Sequence, residues 1–165
     1  LKIPNYSLSL EGLFYPSTYE YTYGVDDLSI LKRAHLKMEQ IINKAWLERT
    51  PGLIYQTPYQ MLVVASMIEK ETSLVEEKSK ISSVIINRLS LNMPLQIDAS
   101  VIYGLGKTTG YALSYADLKK NTPYNTYLYR GLPPTPICLP SESSIIAAAN
   151  PAKTKDLYYV ATGKG

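Results

Sequence analysis

The chain has 165 residues, 45% of them hydrophobic and 19% charged, the composition of one ordinary globular domain rather than a disordered or fibrous protein. Its 17 Lys and Arg against 14 Asp and Glu leave a net charge of +3, and the cations are scattered, without the basic stripe that tracks a nucleic-acid backbone. One His and one Cys cannot build a zinc centre of the usual kind, and no apolar run approaches the roughly 20 residues that cross a bilayer.

Residues 1–24 are rich in Tyr, Ser and Pro, with extended character expected around Phe14–Tyr23. A helix is expected after Asp26 or Asp27, with Leu28, Leu31, His35, Met38, Ile42 and Ala45 on one face, ending before Pro51-Gly52. The next helix has the clearest start in the chain: Thr57 as N-cap, Pro58 at the first helical position and Gln60 completing a capping box. From Met61 to Ile68 it is apolar on nearly every side, which predicts a helix buried in the middle of the domain. A third helix is expected from about Glu76 to Ser90, with Ile81, Val84, Ile85 and Leu89 inward. LQIDASVIYGLG at 95–106 is β-prone and closed by glycines. Ser114 and Asp117 signal a capped short helix, and residues 122–140, rich in Pro, Gly and Asn, predict a long surface loop. A short helix from Ser143 to Ala149 and a strand, DLYYVAT at 156–162, complete the expectation of an α+β fold in a single domain, 1–165. The first residue is Leu1, not Met, which suggests a fragment.

Chemistry is most visible where the apolar run of the second helix meets Glu69, Lys70 and Glu71. A carboxyl group beside apolar neighbours keeps its proton to higher pH, as a general acid must. At about 100° per residue Glu69 and Glu71 lie roughly 200° apart, so they cannot serve one site as a pair. The apolar centre of Met61–Ile68 lies somewhat closer to Glu71, so periodicity does not select Glu69. The 15 tyrosines, against one Trp and one Phe, suit a sugar-binding groove, because a phenol stacks on a sugar face and hydrogen-bonds at its rim. The same count also fits a core that uses Tyr in place of Phe. A Cys–His nucleophilic pair would rest on Cys138 and His35 alone, and His35 reads as a surface or interface residue.

Several spaced motifs occur in order: LEGLFYPSTY at 10–19, SMIEKET at 66–72, INRL at 86–89, LQIDASVIYG at 95–104, YNTYLYRGLPPTPI at 124–137, NPAKT at 150–154 and LYYVATGKG at 157–165. Together they resemble the YceG-like endolytic murein transglycosylases over nearly the whole chain. The resemblance implies cleavage of the β-1,4 bond after N-acetylmuramic acid within peptidoglycan strands, leaving a 1,6-anhydromuramoyl end and needing no cofactor and no metal. It implies that Glu69, first of the EKE triplet, is the catalytic acid/base and that Glu71 is a structural or supporting residue. Gln96 and Asp98 would bind sugar hydroxyls or orient the acid, with capping of a turn an alternative for Asp98. Tyr124, Asn125, Thr126 and Tyr127 would line the groove, and Arg88 would sit on a helix surface or in a structural ion pair. Ala99-Ser100 departs from the family's frequent Pro-Thr.

The resemblance further implies peptidoglycan as partner, together with the wall-synthesis machinery, and no nucleic acid. It implies a place on the extracytoplasmic (periplasmic) face of the inner membrane, anchored by a segment outside this chain. The family usually continues past the terminal GKG, so a C-terminal segment is expected as well. The alternatives are a non-catalytic glycan-binding module and a hydrolytic muramidase with a second carboxylate such as Asp98.

Overall fold

A computed structural model describes residues 9–108 and 110–159. Five α-helices carry the architecture: α1 (Asp27–Leu47), α2 (Pro58–Glu71), α3 (Val75–Ser90), α4 (Asp98–Gly104) and α5 (Glu142–Ala149), with one 3₁₀ turn at Asp117–Lys119. The start of α2 follows its sequence signals. Thr57 accepts from the Gln60 amide at 3.2 Å, while the Gln60 side chain accepts from the amide of Gln56, not Thr57, at 2.7 Å. Asp26 caps α1 through the amide and hydroxyl of Ser29. Ser114 and Asp117 close a reciprocal box before the 3₁₀ turn.

α2 is the axis of the domain. Every residue from Met61 to Ile68 is buried, and α1, α3, α4 and α5 all pack against it. Each large apolar side chain withdrawn from water contributes about 1.5–3 kcal/mol, so this one helix anchors the core. The single polar residue in the run, Ser66, donates to Val63 O at 2.7 Å and accepts from the Ile137 amide at 3.0 Å.

The sheet of the α+β expectation is absent among the described residues. Among the described residues the only β pairing is an isolated bridge between Pro94 and Arg130, and the fold is helical. Residues 14–23 contain no strand, and 156–159 are irregular, with 160–162 outside the described residues. The β-prone segment at 95–106 instead becomes α4, because Ser100 and Val101 must turn into the core and tertiary burial outweighs the propensity of Val and Ile. On α1, Ala34, Met38, Ile42 and Ala45 face inward, whereas Leu28 and Leu31 are exposed. The first turn of α1 lies beyond the edge of the core.

The segment expected to be a surface loop, 122–140, is irregular and exposed in part, at Leu128, Tyr129 and Arg130 among others, but it also sends side chains into the interior. Asn125, Thr126, Thr135 and Ile137 are all buried, and their polar groups are satisfied internally, as burial requires. Gly104, the last residue of α4, marks how tightly this segment is packed. A Cβ there would meet Thr122 Oγ1 at 2.6 Å and Tyr124 Cβ at 2.9 Å. Gly104→Ala is therefore expected to destabilise the domain by about 1–3 kcal/mol, read as a lower urea midpoint with an unchanged m-value.

Candidate active site

Two cavities meet at the C-terminal end of α2. The larger, about 720 Å³, is bordered by Glu11, Lys70, Glu71, Asp98, Tyr103 and Lys107 among others. The smaller, about 320 Å³, is bordered by Glu71, Arg88, Gln96, Asp98, Tyr127 and the pair Tyr158 and Tyr159. Glu71 and Asp98 border both, so these two carboxyl groups stand at the waist of one cleft.

Glu71 is the last residue of α2, where the helix emerges from the core. Burial pushes its carboxyl above the ordinary range; a hydrogen bond from Tyr159 opposes the shift and the charge of Asp98 adds to it. The Tyr159 hydroxyl donates to Glu71 Oε2 at 2.8 Å. Asp98 opens α4, and the Tyr127 hydroxyl donates to its Oδ1 at 2.5 Å.

Glu69 projects from the opposite side of the helix and borders neither cavity. Its Oε2 accepts from the Ser141 amide at 3.0 Å, the Ser141 hydroxyl at 2.5 Å, the Ser144 hydroxyl at 2.6 Å and Lys78 Nζ at 3.1 Å. Burial alone would raise its pKa, but hydrogen bonds from Ser141, Ser144 and Lys78 bring it down to about 2. It is an anion clamped between α3 and the start of α5, and it has no proton to give near neutral pH.

The remaining expected residues divide. Of the loop quartet, only Tyr127 reaches the cleft. Asn125 is fully buried; its amide donates to Leu118 O and Lys120 O, and its Oδ1 accepts from the amides of Tyr127 and Leu128. Thr126 Oγ1 accepts from the Ile97 amide at 2.9 Å and so joins this loop to α4. Tyr124 lies edge-on to Tyr103 at 4.9 Å, and its hydroxyl meets Thr135 Oγ1 at 2.8 Å. These three shape the loop that carries Tyr127. Gln96 borders the smaller cavity from a left-handed backbone conformation, φ 54°, with its amide donating to Thr126 O at 3.0 Å.

Arg88 is buried rather than on the helix surface. It donates to the carbonyls of Pro94, Leu95 and Leu157, and its guanidinium stacks on Tyr158 at 4.8 Å. His35 meets Leu13 O through Nδ1 at 3.0 Å. Burial first, then the surrounding charges, leaves the Cys138 thiol pushed up to about 12, so no thiolate is available there at neutral pH. Among the described residues no three His, Cys, Asp or Glu side chains converge as around a metal.

The sequence profile of the YceG-like family matches residues 2–165. The chain belongs to the YceG-like family. It is 36% identical over 159 residues to a Bacillus subtilis (strain 168) protein named endolytic murein transglycosylase, covering 94% of this chain and 43% of that protein. A Streptococcus pneumoniae (strain R6) protein of the same name is 32% identical, covering 92% of this chain and 28% of its own length. The chain thus spans less than half of the relatives it matches. A crystal structure of a YceG-like protein from Listeria monocytogenes superposes with a TM-score of 0.79 at 35% identity, covering 94% of this chain and 50% of that one.

No local sequence signal in this YceG-like chain marks Lys78, Ser141 and Ser144 around Glu69 or Tyr158 and Tyr159 at the cleft, and Arg88 borders the smaller cavity rather than a helix surface. A strand at 156–162 would point Tyr158 and Tyr159 to opposite faces, whereas the irregular backbone at 156–159 lets both border the smaller cavity.

Two outcomes follow for stability. Glu69→Ala leaves the Lys78 ammonium, 5% exposed, without its anion, an expected loss of about 3 kcal/mol in denaturant unfolding. The folded pKa of Glu69, about 2, lies below its ordinary 4.5, so its stabilisation is present above about 4.5 and disappears as pH falls through about 2. The acid limb of a melting-temperature profile is accordingly shallower in Glu69→Ala. Asn125→Ala removes the organiser of four backbone groups and is expected to destabilise by about 2–3 kcal/mol, measured by the same unfolding, rather than merely weakening ligand binding.

Proposed function

We propose that this chain is the catalytic domain of a peptidoglycan lytic transglycosylase in which Glu71, not Glu69, is the acid and base. The observation that carries the assignment is the contrast between the two glutamates. Glu71 stands in the cleft, bordered by apolar walls and by Asp98, which favours its protonated form. Glu69 borders neither cavity and is fixed as a carboxylate by serine and lysine donors. A general acid needs access to substrate and a raised proton affinity, and of the two glutamates Glu71 is the one that borders the cleft and is shifted upward by burial.

The family resemblance implies the reaction, and that placement supports giving its proton transfers to Glu71. The carboxyl proton of Glu71 passes to the glycosidic oxygen as its bond to C1 of the N-acetylmuramic acid residue breaks. The carboxylate that remains accepts the proton of the same sugar's C6 hydroxyl as that oxygen bonds to C1, closing the 1,6-anhydro ring. One residue serves both steps, no water enters the products, and the enzyme ends as it began. The tyrosines of the smaller cavity, Tyr127, Tyr158 and Tyr159, offer aromatic faces and hydroxyls to the sugars. The substrate places the action outside the cytoplasmic membrane, and no helix among the described residues is long and apolar enough to cross one.

Asp98 favours a second reading. It borders both cavities with Glu71, so it is positioned as the second carboxylate a hydrolase uses to activate water. Mass spectrometry of digested glycan strands separates the two reactions, because anhydro and reducing ends differ by one water.

Glu71→Gln keeps the acceptor for Tyr159 but removes the titratable proton. It is expected to fold normally and to lose about 10²- to 10⁴-fold in release of chain ends. Glu69→Gln is expected to lose stability while the folded fraction retains turnover. Full activity in Glu71→Gln, or loss of turnover in well-folded Glu69→Gln, would overturn the assignment.

A further inference from the structure

The guanidinium of Arg88 has hydrogen-bond capacity that the protein does not use. The residue is only 7% exposed. Its Nε donates to Leu157 O at 2.7 Å. Its Nη1 donates to Pro94 O, Leu95 O and Gln96 Oε1 at 3.3, 2.7 and 3.3 Å. Nη2 carries two further N–H groups, and none of these bonds uses them. The sealed side-chain atoms without a partner lie on Tyr55, Tyr59, Ser82 and Thr122. Nη2 is not one of them, so its donors open on the smaller cavity that Arg88 borders. A charged donor so withdrawn from bulk water gains most from an acceptor that a ligand brings.

Gln96 supplies a second donor. Its Oε1 is taken by Arg88 Nη1, which orients the amide with Nε2 directed away from the guanidinium at the border of the same cavity. The backbone of Gln96 is left-handed, φ 54°, a conformation uncommon outside glycine. It is held there by the Gln96 amide donating to Thr126 O at 3.0 Å and by Arg88 on Leu95 O. Glycine would adopt this turn without strain. The strain is instead borne by a residue whose side chain stands at the cavity, the pattern of a functional position.

Resting on the reading of this cleft as the glycan site, we propose that Arg88 Nη2 and Gln96 Nε2 clamp the carbonyl oxygen of a sugar's 2-acetamido group. The smaller cavity is thus a specificity subsite for N-acetylated sugars. A neutral carbonyl suits it better than a carboxylate, because the carboxyl groups of Glu71 and Asp98 border the same space and disfavour a further anion. The acetamido methyl finds apolar surface on Leu95 and on the ring of Tyr158, which lies on the Arg88 guanidinium at 4.8 Å. C2, which bears this group, is bonded to C1. A clamp on its substituent therefore also orients the anomeric carbon relative to Glu71 at the cavity's edge. A glycan with a hydroxyl at C2 leaves both donors unused and is selected against.

Chitotetraose and cellotetraose share a β-1,4 backbone and differ at C2, acetamido against hydroxyl. Neither carries a lactyl group, so the other amide carbonyl of a peptide-bearing sugar cannot contribute. Calorimetric titration of the 165-residue chain is expected to show chitotetraose binding about 100-fold more tightly, the worth of one charged and one neutral hydrogen bond. In Gln96→Gly the ratio is expected to fall to about tenfold, while the melting temperature holds or rises because the strain at φ 54° is relieved. In nitrogen-15 NMR spectra of the parent, the Arg88 guanidinium and Gln96 side-chain amide signals are expected to shift with chitotetraose and not with cellotetraose. Equal affinities, chitotetraose left unbound, the full ratio kept in Gln96→Gly, or signals indifferent to the choice of sugar would each overturn the inference. None of these readouts needs bond cleavage, so the transglycosylase reading is tested apart from them. Chain ends released from peptidoglycan by a protein that does not distinguish the two sugars would leave that reading standing and remove the clamp. Selection by a protein that releases no chain ends would keep the clamp and remove the activity.

Discussion

One buried ammonium organises the end of the domain that matters. Lys78 Nζ donates to Glu69 at 3.1 Å, to Ser141 Oγ at 3.1 Å and to Ser143 Oγ at 3.0 Å. A charge this deep is tolerated only when its partners are complete, and here Lys78 on α3 draws them from two elements: Glu69 from α2 and the serines at the start of α5. The cluster fixes the last turn of α2 relative to α3 and α5. Two residues further along the same helix, Glu71 is thereby held at the cleft. The clamp and Glu71 occupy opposite faces of one helix turn, and immobility of the first gives the second its position.

The irregular half of the chain is organised by a comparable logic without regular structure. Asn125 supplies both donors and acceptors to the backbone around it, Thr126 ties the loop to the entry of α4, and Arg88 collects carbonyls from the segment before α4 and from Leu157. Asn87 binds the carbonyls of Thr154 and Asp156 from the neighbouring turn of α3. Side-chain amides and a guanidinium thus do the pairing that a sheet would do with backbone ladders. The result delivers Tyr127 and Tyr159 to the cleft from two segments that lie far apart in sequence.

This division explains the separation of electrostatic roles. Glu69 is surrounded by donors and is an anion; Glu71 is surrounded by apolar wall, one phenol and the Asp98 carboxylate, and favours its neutral form. Two identical side chains two residues apart thus have opposite proton affinities, set by environment alone. The expectation that Glu69, first of the EKE triplet, is the catalytic residue came from the resemblance to YceG-like proteins and not from the surroundings of either side chain.

The sequence by itself determined the helices whose signals are local. Thr57, Pro58 and the run Met61–Ile68 specified α2, and Asp26 specified the start of α1, because capping and burial patterns act within a few residues. It also determined the family, since ordered motifs are a property of the chain. The α4 segment, the irregular path of residues 122–140 and the absence of a sheet among the described residues were decided by tertiary packing, which overrides β propensity wherever Val101 and Ser100 must be buried. The contrast between the surroundings of Glu69 and Glu71 belonged to the tertiary structure as well. Helical periodicity separates them by roughly 200° but cannot say which side meets serines and a lysine from residues 78–144, and which side opens on a cleft. That depends on contacts across more than sixty positions of sequence, such as Ser141 to Glu69 and Tyr159 to Glu71, and no local pattern encodes them.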